Sequence, residues 1–229
     1  KKEEIISNLL HYGIIAGKLI YYSGFKRLIS EKNRFLMTAS RLQKILSILH
    51  KNLSEQRLRH ALIGAMALSL YGIPRYTADI DLLAEQKNRN TIKTLMSTLG
   101  FECFQDTEAF AQFDSEMGVY GKVDFMFVHT PEGAEILESA VIVEDEYLGP
   151  MPVIQPTDYA VLKLMAIANQ PDRKYQDIAD LQVLLKAGAA GIISSVFHPV
   201  DTTRLLRFAK RFGVVEELNP LLPFARGEK

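Results

Sequence analysis

The sequence predicts an α/β (α+β) fold with a short mixed sheet, followed by a C-terminal helical bundle. Three observations carry this expectation. Short apolar runs alternate with helical periodicity up to about residue 155. Two of the predicted strands, 79–84 and 122–128, carry acids inside apolar surroundings. Beyond Pro156 the pattern becomes helical throughout. The chain has 229 residues, 48 % of them apolar, and zero net charge, which is ample for a buried core and excludes disorder as the main state.

Taken in order, residues 1–36 are rich in Lys, Ile, Tyr and Ser, and Gly13, Gly17 and Gly24 interrupt any helix there. They read as a peripheral leader running to residue 37. From Thr38 the spacing of Leu42, Ile45, Leu46 and Leu49 is helical. Ala61-Leu62-Ile63 reads as a buried strand that meets Gly64, and 65–71 as a helix ended by Gly72 and Pro74. Strand 79–84, helix 88–99 and strands 101–105, 110–113 and 122–128 follow. Helix 131–139, strand 140–143 and a hairpin around Gly149-Pro150 complete an α/β domain spanning 38–155. Helices 157–169, 174–187 and 201–212, the last capped by Asp201, form a helical domain over 156–229.

Several chemistries are excluded at this level. Cys103 is the sole cysteine, so neither a disulfide framework nor a Cys-based zinc site is available. It reads as a strand-core residue, and one free thiol fits a reducing cytoplasm. No run of eighteen clean apolar residues spans a membrane. Residues 5–22 are apolar but broken by Ser7, Asn8, His11 and Lys18, with no cleavage pattern after them, which argues against a signal peptide. The histidines at 11, 50, 60, 129 and 198 show no ligand spacing, and no Walker A lysine, dinucleotide glycine fingerprint or serine elbow occurs. The zero net charge hides an asymmetry: residues 1–60 carry twelve Lys/Arg against four Asp/Glu, and 101–150 carry one against twelve. The last long helix carries Arg204, Arg207, Lys210 and Arg211, read as a solvated face with a nucleic-acid backbone contact as the alternative.

The candidate site starts at Ala78-Asp79-Ile80-Asp81-Leu82. Side chains two apart leave a strand on one face, so Asp79 and Asp81 point together, about 7 Å apart at the backbone, while Ile80 and Leu82 point to the core. Two carboxylates on one strand face repel, and a divalent cation such as Mg²⁺, or Mn²⁺ in its place, is the economical compensation. Asp124 is the only charge in Val123–Val128 and is expected to converge with the pair if its strand lies alongside. Upstream, Gly64 and Ala65 end a strand and open a helix, where backbone N–H groups favour phosphate. Arg75 and Thr77 could touch phosphate or cap the loop after Pro74. Lys163 is the only charge between Tyr159 and Ile167, so it needs an anion, either Asp177 or a phosphate, unless it snorkels to water. Asp180 reads equally as a residue flanking the stripe of Ile178, Leu181 and Leu185.

These residues resemble a known family. Gly64-Ala65-x-Ala67, then Gly72, Arg75-x-Thr77-x-Asp79-x-Asp81 and later Asp124 are similar to the nucleotidyltransferase superfamily. The closer resemblance is to its AbiEii/AbiGii toxin-like branch, relatives of the MenT toxins, whose motif is a strand, Gly-Gly or Gly-Ser, a helix and Asp-x-Asp. Leu162-Lys163-Leu164-x-Ala166 with Arg173-Lys174-x-x-Asp177-x-x-Asp180-Leu181 resembles that branch's LKLxA…R…KDxxDL segment. The resemblance covers about 55–187. It implies a nucleotidyltransferase fold and places Lys163 and Asp177 in the active site, with Lys163 on phosphate. It also implies Mg²⁺-dependent transfer of an NMP from an NTP to an acceptor hydroxyl, with RNA, such as a tRNA end, as acceptor and a cognate antitoxin as partner. The alternatives are a binding module without catalysis and transfer to a small molecule or a protein.

Overall fold

The computed structural model describes residues 41–115, 121–145 and 148–227. The expected leader, 1–37, lies outside the described residues. Residues 42–229 form one compact unit.

Residues 41–55 are helical (α1), and the predicted spacing is the reason: Leu42, Ile45, Leu46, Leu49 and Leu53 make one buried stripe. Strand β1 (His60–Leu62) is wholly buried and leads through Ile63 into α2 (Gly64–Leu70). Then come β2 (Asp79–Glu85), α3 (Arg89–Thr98), β3 (Phe101–Asp106), β4 (Phe110–Ser115) and β5 (Lys122–Val128). Helix α4 (Pro131–Glu138), β6 (Val141–Asp145) and β7 (Gly149–Val153) follow. The expected elements are all present, and the strands mostly run slightly longer than the apolar runs that signalled them.

The seven strands form one mixed sheet in the order β3-β4-β5-β2-β1-β7-β6. β2 runs parallel to β5 and antiparallel to β1, while β1 runs parallel to β7. The central strands alternate as a half-buried sheet should: Ile80 and Leu82, Val123, Phe125 and Phe127, and Ala111 and Phe113 fill the core. One expectation is corrected here. Cys103 is exposed, because β3 is an edge strand on which only Phe101 is buried, with a register shift between Cys103 and Gln105.

The chain then turns helical. Pro156 opens α5 (Pro156–Asn169), a single tight turn (Pro171–Arg173) follows, and α6 (Lys174–Ala189) returns alongside. Helix α7 (Thr202–Phe212) starts as expected, the Asp201 carboxylate accepting from the Arg204 N–H at 3.0 Å. Short helices α8 (Val215–Leu218) and α9 (Leu222–Ala225) close the described chain. Polar ties join distant parts of the chain here. Tyr71 donates to the Ile154 carbonyl at 2.7 Å, and the fully buried Asp158 accepts from Ser139 at 2.8 Å and pairs with Arg204 at 2.6 Å. The basic stripe of α7 is therefore half committed internally: Arg204 holds Asp158, and Arg211 holds Glu132 at 2.7 Å.

Candidate active site

Strand pairing decides what the acids can do. In the parallel β2–β5 pair, Asp81 stands opposite Asp124 and Asp79 opposite Lys122. In the antiparallel β4–β5 pair, Gln112 stands opposite Asp124. With period two along each strand, Asp79, Asp81, Asp124 and Gln112 leave the same sheet face. Gln112 donates to Asp124 Oδ2 at 2.8 Å, whereas Asp124 Oδ1 is buried with no hydrogen-bond partner among the described residues. Gly64 closes over Asp81: its φ is +66°, and a Cβ there would lie 2.0 Å from Asp81 Oδ2, so only glycine fits. Burial, then Asp124 and Asp79, push the Asp81 carboxyl up to about 6 against the pull of Lys163 and Arg173. Burial also raises Asp124, opposed by the Gln112 hydrogen bond.

The facing wall is helical. Lys163 of α5 reaches Asp177 Oδ1 at 2.7 Å and Asp180 Oδ2 at 2.8 Å, both on α6. Those two carboxylates are 2 % and 3 % exposed. Arg75, from the loop before β2, also pairs with Asp180, and Tyr159 donates to it at 3.5 Å. Burial pulls the Lys163 ammonium down, and Asp177 pulls it back. Asp177 Oδ2 is buried and has no partner among the described residues.

The nine residues that the sequence offers for metal, nucleotide or catalysis line one cleft of about 430 Å³: Gly64, Ala65, Arg75, Thr77, Asp79, Asp81, Asp124, Lys163 and Asp177. Their parts differ from expectation in places. Thr77 Oγ1 bonds the Asp79 backbone, accepting from its N–H at 3.1 Å and donating to its carbonyl at 3.0 Å, so it fixes the entry to β2. The three sheet acids share a face, but Asp79 sits one step along from the Asp81–Asp124 pair, opposite Lys122. Among the described residues no group of three or more His, Cys, Asp or Glu side chains is arranged to hold a metal ion as it stands. The donor set nevertheless suits a hard divalent cation: it is all oxygen, mutually repelling, and includes the unpartnered Asp124 Oδ1. Gln112 carries no signal in the sequence, since only the β4–β5 register reveals it, and Asp180, evenly balanced there between site and flank, lines the cleft and pairs with Lys163 and Arg75.

A cleft of this kind on a mixed sheet, walled by a helical C-terminal part, defines a nucleotidyltransferase fold. The structure is similar to an antigenic nucleotidyltransferase-like protein from Paracoccidioides brasiliensis, with a TM-score of 0.51 and 15 % identity over 82 % of this chain and 93 % of that one. It is also similar to ANT(2")-Ia solved with adenylyl-2"-tobramycin, with a TM-score of 0.56 and 14 % identity over 74 % of this chain and 98 % of that one. No curated protein matches the sequence. The chain belongs to the AbiEii family of nucleotidyl transferase toxins of type IV toxin–antitoxin systems, whose model matches residues 45–220. It is a nucleotidyl transfer enzyme by family and fold. Among the described residues, no helix is long and apolar enough to cross a membrane.

Proposed function

We propose that this chain transfers a nucleoside monophosphate from an NTP to a hydroxyl at an RNA end, such as that of a tRNA, acting in the cytoplasm as the toxin partner of an antitoxin. The observation that supports it most is the β2–β5 register, which sets Asp79, Asp81 and Asp124 on one face of a cleft without ion-pair partners among the described residues. Asp79, Asp81 and Asp124 are the residues that would hold Mg²⁺ or Mn²⁺, which when bound supplies Lewis-acid polarisation of phosphoryl oxygens. The acceptor oxygen forms its bond to the α-phosphorus as the bond to the bridging oxygen breaks, and pyrophosphate leaves with that electron pair. In this reading Asp124, which accepts a hydrogen bond from Gln112, takes the hydroxyl proton. Gly64 and Ala65 offer backbone N–H groups to the nucleotide, Thr77 steadies Asp79, and Arg75 and Lys163 stand in the wall behind.

An RNA acceptor is favoured by the cleft mouth. Tyr76 lines the cleft at 60 % exposure, and Tyr175, 85 % exposed, sits beside the cleft-lining Gln176. Exposed aromatic faces of this kind stack on unpaired bases. The division at 155/156 then has a functional sense: the α/β part carries the sheet carboxylates, and the helical part supplies the opposite wall. The test is incubation with each α-labelled NTP, Mg²⁺ and total RNA, beside Asp81→Ala. Label on RNA that disappears in the variant is expected. Label on protein or on small molecules instead would overturn the RNA acceptor, and nucleotide binding without any product would overturn catalysis.

A further inference from the structure

Counting charge in the cleft separates its cations. Among the described residues, five carboxylates line it (Asp79, Asp81, Asp124, Asp177 and Asp180) against three cations, Arg75, Lys163 and Arg173. Two of the cations are already answered, since Lys163 bridges Asp177 and Asp180, and Arg75 pairs with Asp180. Moving Lys163 onto a ligand would strand Asp177, which is 2 % exposed, and moving Arg75 would take one of its two partners from Asp180, which is 3 % exposed, so either exchange is expensive. Lys163 thus joins α5 to α6 as a clasp.

Arg173 is different. It ends the tight turn Pro171–Arg173, directly before α6, and it is exposed while lining the cleft. Its guanidinium has no ion-pair partner among the described residues. It lines the same cleft as the sheet carboxylates Asp81 and Asp124. So one side of the cleft presents unanswered carboxylates and the other an unanswered guanidinium. A ligand that satisfies both must carry cation and anion together, as a metal-bound polyphosphate does.

We propose that Arg173 is the residue that grips the polyphosphate of the nucleotide, its forked N–H donors meeting phosphate oxygens while the sheet acids face the accompanying cation. This rests on the nucleotidyl-transfer reading above. It assigns the phosphate contact to Arg173, and it assigns Lys163 to positioning.

The test measures binding without turnover. The full chain is titrated calorimetrically with ATP and, separately, with inorganic tripolyphosphate, both with Ca²⁺, for wild type, Arg173→Gln and Arg173→Lys. Arg173→Gln is expected to weaken both ligands at least ten-fold with unchanged melting temperature, and Arg173→Lys to recover much of the loss. Unchanged affinity of Arg173→Gln for tripolyphosphate overturns the proposal, whether or not ATP binding weakens, because Arg173 would then read sugar or base, or nothing. Wild type binding neither ligand would overturn the nucleotide reading itself, an outcome distinct from an intact wild type with an indifferent variant.

Discussion

The two walls of the cleft treat their carboxylates in opposite ways. On the helical wall, Asp177 and Asp180 are almost wholly buried and gripped by Lys163 and Arg75. On the sheet wall, Asp79, Asp81 and Asp124 have no ion-pair partner among the described residues, and Asp81 is driven up to about 6 by burial and then by Asp124 and Asp79. Buried charge that is paired belongs to the framework, because removing one partner leaves the other uncompensated. Half-buried charge left unpaired, as at these three sheet acids, is held at the expense of stability, and such sites are where ligands compensate. On the reading proposed above, the difference sets the paired carboxylates Asp177 and Asp180 in the framework and leaves the sheet carboxylates for a ligand.

The sharpest way to break this comparison is to exchange the effects. Asp81→Asn is expected to lower nucleotidyl transfer on the order of 10⁴-fold, about 5.5 kcal/mol of barrier, while raising the melting temperature. A variant that loses stability instead would put Asp81 in the framework. Lys163→Met should behave in the reverse sense, costing about 3–5 kcal/mol in denaturant unfolding because it strands buried carboxylates. A near-neutral midpoint would refute the clasp.

Acid unfolding sharpens the contrast further. His60 Nδ1 lies 2.7 Å from the Leu58 carbonyl and so donates to it, leaving Nε2 to accept from His50 Nδ1 at 2.8 Å. Burial chiefly lowers His60 to about 4, with the Leu58 bond opposing. Between about 6.5 and 4 the unfolded chain takes a proton that native His60 refuses, so stability falls with acid by about 3 kcal/mol. Asp81 acts oppositely. Its raised value lets the native state hold a proton that the unfolded chain has released, so its share of stability is full below 3.8 and lost as pH rises through about 6. The two slopes largely cancel in the wild type. Asp81→Asn should unmask a rise of about 3 kcal/mol from pH 4 to 6.5, and His60→Gln a fall of similar size, both read from chemical denaturation at stepped pH. The smallest effect belongs to pairs that are neither buried nor strained. Lys51 and Glu55 lie 3.9 Å apart at 75 % and 63 % exposure, and Glu55→Ala should move stability by less than about 0.5 kcal/mol.

Local patterns made much of this readable in advance. Asp79 and Asp81 betray a shared face because strand geometry has period two, and Asp124 stands out because nothing else in its run is charged. The helices announce themselves through apolar spacing and, at Asp201, through a cap. What could not be read is whatever depends on which strand lies beside which. Gln112 matters only because β4 lies against β5, and Asp79 misses the Asp81–Asp124 pair only because the register sets it against Lys122. The Arg75–Asp180 pair joins a loop to a helix far along the chain and leaves no spacing signal. Cys103 misled for a related reason: an apolar neighbourhood looks the same in an edge strand as in a central one, and only sheet order tells them apart.

The parallel pairing of β2 with β5 has a consequence for biosynthesis. Parallel neighbours cannot be joined by a tight turn, so the chain must travel through α3, β3 and β4 before Asp124 arrives opposite Asp81. Non-local closures of this kind come late in folding, and chains emerge N-terminus first. A ribosome-bound fragment ending within β4 holds Asp79 and Asp81 but neither the third acid nor the helical wall. On the reading proposed above, such a fragment lacks a carboxylate that the reaction uses, and the cleft takes shape only after β5 and the helices that follow it have been made.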